Sequence, residues 1–293
     1  MKRLLITGAS GLIGKAVIEN LVASGEEVEI YVASSTSDKL KIKADNIFVI
    51  SNEQIEKLFS SKDVDILLHL AFPRNVSEIQ WAPGIKYAID ILFLAHKYSV
   101  KRIINVSSQS IYGLQRKKPA DELHEIVLSS AYTTGKYCTE VVCENLFQRG
   151  IYTNIRLSTT IGPTTKERVP NKLFDQIVRG SDLTINGGHQ QFSFLDVRDA
   201  AAALVCLMRY DNIPWKIAYN IGTNEAHSLL DIANMCVHIA KEYGYNSTQI
   251  KLIQEDIVIV NQIDENLFEQ EFSWKARYNL KESLNYIFEQ NYL

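Results

Sequence analysis

The stretch ITGASGLIG, residues 6–14, places Gly8, Gly11 and Gly14 three apart, directly behind the apolar residues Leu4, Leu5 and Ile6. Glycine costs about 1 kcal/mol against alanine inside a helix, so three of them where a first helix should open need a return that only a missing side chain gives. One such return is close approach of the backbone to something bulky and negative. Working outward, RLLITG (3–8) reads as a strand, and residues 11–23 have helical spacing. EVEIYVAS (27–34), NIFVIS (46–51), DILLHLAF (65–72) and KRIINVSS (101–108) read as further strands. Between them, EQIEKLFSS (53–61) and IKYAIDILFLAHKYS (85–99) carry apolar residues at steps of three and four. Strand, helix, strand without hairpin turns predicts a parallel sheet covered on both faces.

In such a sheet a glycine-built turn between strand and helix lets the backbone reach a pyrophosphate, whose charge meets free N–H groups and the positive end of the helix dipole. A tight turn without a ligand can use the same glycines, so the spacing alone leaves both readings open. The expected fold class is α/β, a Rossmann-like doubly wound parallel sheet with a smaller C-terminal α/β substrate region. The pattern loosens at IGPTTKERVP (161–170). Residues 1–160 are expected to form one domain, dinucleotide-binding if the glycines serve a ligand, and 161–293 mainly a second, substrate-binding region. The chain is expected to return to the first domain around 192–222, where FSFLDVRDAAAALVCLM (192–208) again reads as a strand entering a helix.

Bulk properties narrow the function classes. A chain of 293 residues, 46% hydrophobic, can bury a full core, and a net charge of -3 gives no basic field for a nucleic-acid backbone. Cys138, Cys143, Cys206 and Cys236 lack metal spacing and the six histidines are scattered, so neither a metal site nor a disulfide framework is expected. MKRLLITGAS has too few apolar residues for a signal peptide, and no apolar stretch reaches spanning length. A cytoplasmic protein without nucleic-acid or membrane partners is the expectation.

AYTTGK (131–136) supplies Tyr132 and Lys136, and NVSSQSIYG (105–113) supplies Ser107 and Ser108 at the end of a strand. Of the 14 tyrosines, only Tyr132 has a lysine four residues on. Residues 132 and 136 share one face of a helix, one turn apart. An isolated phenol ionises near pH 10, roughly three units above neutrality, and a neighbouring cation favours phenolate.

The GxxGxxG turn, the Tyr-x-x-x-Lys pair and the preceding serine together resemble the short-chain dehydrogenase/reductase superfamily, in particular its extended branch, the NAD-dependent epimerase/dehydratase family. DILLHLAF, RLSTTIGP (156–163), FSFLDVRDAA (192–201), AYNIGTNEAHSLLDIA (218–233) and FSWKARYNLKESL (272–284) extend the resemblance over nearly the whole chain. It implies NAD or NADP as cofactor. Gly8, Ser10, Gly11, Leu12, Ile13, Gly14, Ser34, Ser35, Leu70, Ala71, Tyr132 and Lys136 would then contact that cofactor. It further implies Ser108, Tyr132 and Lys136 as the catalytic set: Tyr132 exchanges a proton with a carbinol or carbonyl oxygen, Ser108 hydrogen-bonds that oxygen, and Lys136 holds the nicotinamide ribose. Arg74, Ser108 and Thr159 are the expected substrate contacts.

Departures from the family pattern bear on substrate and cofactor. Val32, Ala33, Ser34 and Ser35 stand where an acidic residue would hold the adenosine ribose, which tilts the expectation slightly toward NADP, with Lys39 or Lys41 nearby. Ile85 replaces an asparagine near the cofactor. Thr159 and Phe192 replace an asparagine and an arginine that help bind a nucleotide diphosphate. Gln109 and Ser110 stand where sugar-nucleotide 4,6-dehydratases carry an Asp-Glu pair, and an amide and a hydroxyl cannot carry that proton traffic. The expected activity is that of a 4-epimerase or 4-ketoreductase on a nucleotide-linked sugar. A carbonyl reductase of a non-nucleotide small molecule is the alternative, and a non-catalytic dinucleotide-binding protein a third. The helices at 86–98 and 132–149 are candidates for a homodimer contact.

Overall fold

A computed structural model describes residues 1–34, 44–73 and 78–293. The chain runs β1 (Lys2–Thr7), α1 (Leu12–Ser24), β2 (Val28–Ala33), β3 (Ile47–Ile50), α2 (Ile55–Ser61), β4 (Ile66–His69), α3 (Glu78–Lys97), β5 (Arg102–Ser108), α4 (Ala131–Leu146) and β6 (Tyr152–Leu157). It continues through β7 (Thr159–Ile161), α5 (Val169–Val178), β8 (Leu183–Asn186), β9 (Gln191–Phe192), β10 (Phe194–Asp196), α6 (Val197–Arg209) and β11 (Ala218–Ile221). The last elements are β12 (His227–Ser228), α7 (Leu229–Glu242), β13 (Ile250–Ile253), α8 (Asn266–Phe272) and α9 (Leu280–Tyr292).

Seven strands form the main sheet in the order β11-β6-β5-β4-β1-β2-β3. The pairs from β6 to β3 are parallel, and β11 joins β6 in the same sense, with Asn154 N–H donating to Ile217 O and Ser158 N–H to Ile221 O. Both faces of this sheet are covered, so its central strands read as unbroken apolar runs: Leu4, Leu5 and Ile6 of β1 and Ile66, Leu67 and Leu68 of β4 are all buried. From β1 the chain builds outward to β2 and β3 on one side, then crosses to β4 on the other. The order reverses between β1 and β4, where Thr7 is in register with His69. Ligands of doubly wound sheets bind in the crevice outside the carboxyl ends of the strands at such a reversal.

The described chain divides into two compact units. The first comprises Met1–Ile111, Val127–Leu157 and Ala201–Tyr219, and the second Tyr112–Ile126, Ser158–Ala200 and Asn220–Leu293. Leu5, Ile55, Phe59, Leu67, Leu92 and Ile103 belong to the core of the first. In the second unit β7 pairs with β10 and β8 with β13 in parallel, and β9 with β12 antiparallel. Phe174, Ile177, Leu183, Ile232, Leu284 and Phe288 are central to its core. FSFLDVRDAAAALVCLM is indeed strand then helix, but its strand β10 pairs with β7 and lies outside the seven-stranded sheet.

Candidate active site

Gly8 follows β1 with φ of +70°, in the left-handed region. A Cβ there would lie 2.8 Å from Ala71 N and 3.0 Å from the Leu70 carbonyl carbon, so the turn after β1 and the turn after β4 touch backbone to backbone. Gly14 answers a different demand: its Cβ would meet Gly8 O at 2.6 Å, and its absence lets α1 close onto the turn. Gly11 is the N-cap of α1 and offers no side-chain cap, and no acidic residue stands in the first turn. The helix therefore presents its positive end without a carboxylate of its own, the arrangement that receives phosphate.

Gly8, Ser10, Gly11, Ser34, Leu70 and Ala71 line one cleft of about 410 Å³ in the first unit. The Ser34 hydroxyl donates to Ser10 Oγ at 2.7 Å, tying the end of β2 to the glycine turn. Asn52, Phe72, Pro73, Gly84 and Tyr87 complete the wall, and the Tyr87 hydroxyl donates to Asn52 Oδ1 at 2.9 Å. Leu12 and Ile13 open α1 beside the cleft without lining it. Ser35, Lys39, Lys41 and Arg74 lie outside the described residues. A backbone cradle that no Cβ could enter, at the open end of a helix, fits an adenine dinucleotide.

Helix α4 starts at a reciprocal cap in which the Thr133 N–H donates to Ser130 Oγ and the Ser130 N–H to Thr133 Oγ1. Tyr132 lies in its first turn, half-buried, and Lys136 one turn on, buried. Lys136 Nζ donates to the Val106 carbonyl at 2.6 Å, which draws the ammonium to the end of β5 that carries Ser108. The face of Phe72 lies 4.3 Å from the same Nζ, and the Phe72 ring meets the Tyr132 ring edge to face, centroids 5.7 Å apart. Behind them Thr7 Oγ1 lies 2.8 Å from His69 Nδ1. Burial, and then the Lys136 charge, push the His69 imidazole down to about 3, so the ring stays neutral beside the ammonium.

Ser107 and Ser108 point to opposite faces of β5. Ser107 is buried, whereas Ser108 is half-buried and its hydroxyl donates to Ser110 Oγ at 3.1 Å while accepting from the Ser110 N–H at 3.2 Å. Gln109 and Ser110 form a short 3-10 turn directly after the strand. Ile85, where the family pattern has asparagine, packs with Trp81 against Gly135: a Cβ at 135 would lie 2.8 Å from the Trp81 ring and 3.0 Å from Ile85 Cδ1.

Thr159 belongs to the second unit, where its Oγ1 accepts from Asn261 Nδ2 at 3.4 Å. Phe192 stacks on Phe194 with ring centroids 5.9 Å apart. Asn52, Tyr87, Phe72 and Trp81 escape a reading of the sequence by motif. Only Phe72 carries a local signal, as the residue directly after Ala71. Among the described residues, no cluster of three or more His, Cys, Asp or Glu could hold a metal, and no helix is long and apolar enough to cross a membrane.

The model of the NAD dependent epimerase/dehydratase family matches residues 4–222. A protein from Methanocaldococcus jannaschii described as "Putative UDP-glucose 4-epimerase" is 27% identical over 300 residues, covering 96% of this chain and 95% of that protein. The crystal structure of UDP-glucose 4-epimerase from Thermotoga maritima, with UDP-glucose, superposes with a TM-score of 0.80 at 23% identity, covering 98% of this chain and 97% of the other. dTDP-glucose 4,6-dehydratase from Bacillus anthracis, in complex with NAD, gives 0.81 at 18% identity, covering 99% and 97%. At these identities the two structures speak to the fold.

Proposed function

The chain belongs to the NAD dependent epimerase/dehydratase family, and from that premise we propose that it is a 4-epimerase or 4-ketoreductase of a nucleotide-linked sugar, with NAD or NADP held in the glycine-lined cleft. The bound dinucleotide supplies the hydride acceptor or donor. Tyr132 Oη passes a proton to or from the reacting oxygen, and Ser108 Oγ orients that oxygen by a hydrogen bond. Lys136, anchored on Val106 O, holds the nicotinamide ribose. The second unit carries the sugar-nucleotide contacts, Thr159 among them, with Arg74 as a further contact.

The observation that carries the choice within the family is the turn after β5. Where a 4,6-dehydratase needs an acid and a base for water elimination, this chain has Gln109 and Ser110, and Ser110 is engaged with Ser108. Neither side chain holds a transferable proton near neutrality. The dehydratase activity of one structural neighbour is therefore not expected of this chain. For the cofactor, the NAD in that neighbour supports NAD, whereas the small hydroxyl Ser34 at the end of β2 supports NADP.

The test is conversion of UDP- and dTDP-hexoses and their 4-keto forms by the wild type and Tyr132→Phe, with cofactor binding measured in both. Turnover is expected to fall by roughly 10²–10⁴-fold while the variant still binds the dinucleotide, and dTDP-glucose is expected to give no 4-keto-6-deoxy product. A Tyr132→Phe protein that keeps most of its activity contradicts the mechanism. The second reading, a carbonyl reductase of a non-nucleotide compound, draws on Phe192, whose stacked ring offers no charge to a diphosphate. Stabilisation by UDP, dTDP or GDP in a thermal-shift assay favours the first, and indifference to all three the second.

A further inference from the structure

A buried ammonium is costly unless its charge is met. Lys136 is only 6% exposed, and two of the groups that meet it are the Val106 carbonyl and the face of Phe72. The ring is itself held on two sides, edge to face with Tyr132 and edge to face with Trp81 at a centroid distance of 6.0 Å. Trp81 reaches this place because residue 135, directly before Lys136, is glycine. An unbroken set of contacts thus runs from α3 through Phe72 to the ammonium.

We propose that Phe72 is a positioning residue for Lys136, its ring face fixing the ammonium at the end of β5 by a cation–π contact. This rests on the reading of Lys136 as the residue that holds the nicotinamide ribose. An aromatic face attracts the charge through the ring quadrupole without taking up an N–H in a hydrogen bond. A carboxylate in its place would bind the ammonium harder and compete with a ribose hydroxyl. Phe72 therefore steadies the cation while leaving its directional bonding to the carbonyl and to the ligand.

The experiment compares wild type, Phe72→Leu and Phe72→Tyr by lysine side-chain NMR and by calorimetric binding of NAD and of ADP. Phe72→Met takes the place of the leucine variant if that one does not fold. The εCH2 resonance of Lys136, assigned by its loss in Lys136→Met, is expected upfield in wild type and Phe72→Tyr, and at the ordinary lysine position in Phe72→Leu. NAD binding is expected to weaken roughly five- to thirty-fold in Phe72→Leu, and to weaken more than binding of ADP, which lacks the nicotinamide ribose but shares the cleft that Phe72 lines. Rescue by tyrosine completes the expected set. An unmoved lysine resonance in Phe72→Leu overturns the proposal, as does an equal loss of NAD and ADP affinity, which a structural role alone would give. If the wild-type protein binds no dinucleotide, the functional reading fails, and the resonance still decides whether Phe72 holds the ammonium.

Discussion

Arg156 of β6 and Glu140 of α4 form a buried ion pair, with Nη2 and Oε2 2.8 Å apart and Nε also directed at the carboxylate. Glu140 stands one helical turn beyond Lys136, so this pair, together with Asn105 Nδ2 donating to Thr139 Oγ1 and to Asn154 Oδ1, fastens α4 to the sheet. The fork geometry lets one guanidinium satisfy the carboxylate through two nitrogens.

Removing one partner of such a pair strands the other charge without water. Glu140→Ala is expected to destabilise the protein by about 3–5 kcal/mol and to lower Tm by roughly 6–20 °C, read by scanning calorimetry. A double variant, Glu140→Leu with Arg156→Met, buries no charge and is expected to recover most of that loss. A single variant that melts with the wild type would show that the pair does not fasten α4.

The turn after β1 gives a sharper steric case. Gly8→Ala must hold φ near +70° with a Cβ about to strike Ala71 N, 2.8 Å away. The left-handed conformation alone costs about 1–2 kcal/mol in an alanine, and relief of the clash has to part the ends of β1 and β4. NAD affinity is expected to fall at least tenfold by titration calorimetry, with a lower Tm, while Gly25→Ala, equally left-handed at +66° but with nothing among the described residues within 4 Å of its Cβ, costs stability without touching NAD affinity. Equal effects at both glycines would refute the close-approach argument.

These residues also mark what the sequence could reveal. Gly8 and Gly14 were legible because a glycine triplet behind an apolar run has few physical uses, and the structure assigns them different ones: backbone contact with β4 for Gly8, helix closure for Gly14. Tyr132 and Lys136 stand out through the family resemblance, and helical spacing adds only that they lie one turn apart on a common face, as they do on α4. Asn52 and Tyr87 were not legible, since each reaches the cleft through the folding of β3 and α3 around it, and no local pattern records that convergence; Phe72 had only its place after Ala71 to mark it. Thr159 shows the converse. Its place in a family segment was evident, yet its partner Asn261 lies 102 residues away in the chain. Pairings at that separation leave no trace in spacing.

Glu265, at the start of α8, gives a pH dependence. It is 6% exposed, and its Oε2 has no hydrogen-bond partner among the described residues. Burial first, then the charges of Asp264 and Glu269, push its carboxyl up to about 7 from the ordinary 4.5, against the opposing pull of a backbone hydrogen bond and Lys275. The folded state thus holds the proton more tightly than the unfolded chain does. The stabilisation this gives is fully present below about pH 4.5 and is lost as the pH rises through about 7, a span worth up to about 3 kcal/mol. Glu265→Gln keeps the shape and never ionises. Urea unfolding of wild type and variant is therefore expected to give stability curves that run parallel below about pH 4.5 and separate progressively toward pH 8, with the variant the more stable. Curves that stay parallel from pH 4.5 to 8 would mean that Glu265 finds water or a cation when it ionises, and a wild type that gains stability over that range relative to the variant would reverse the sign of the argument.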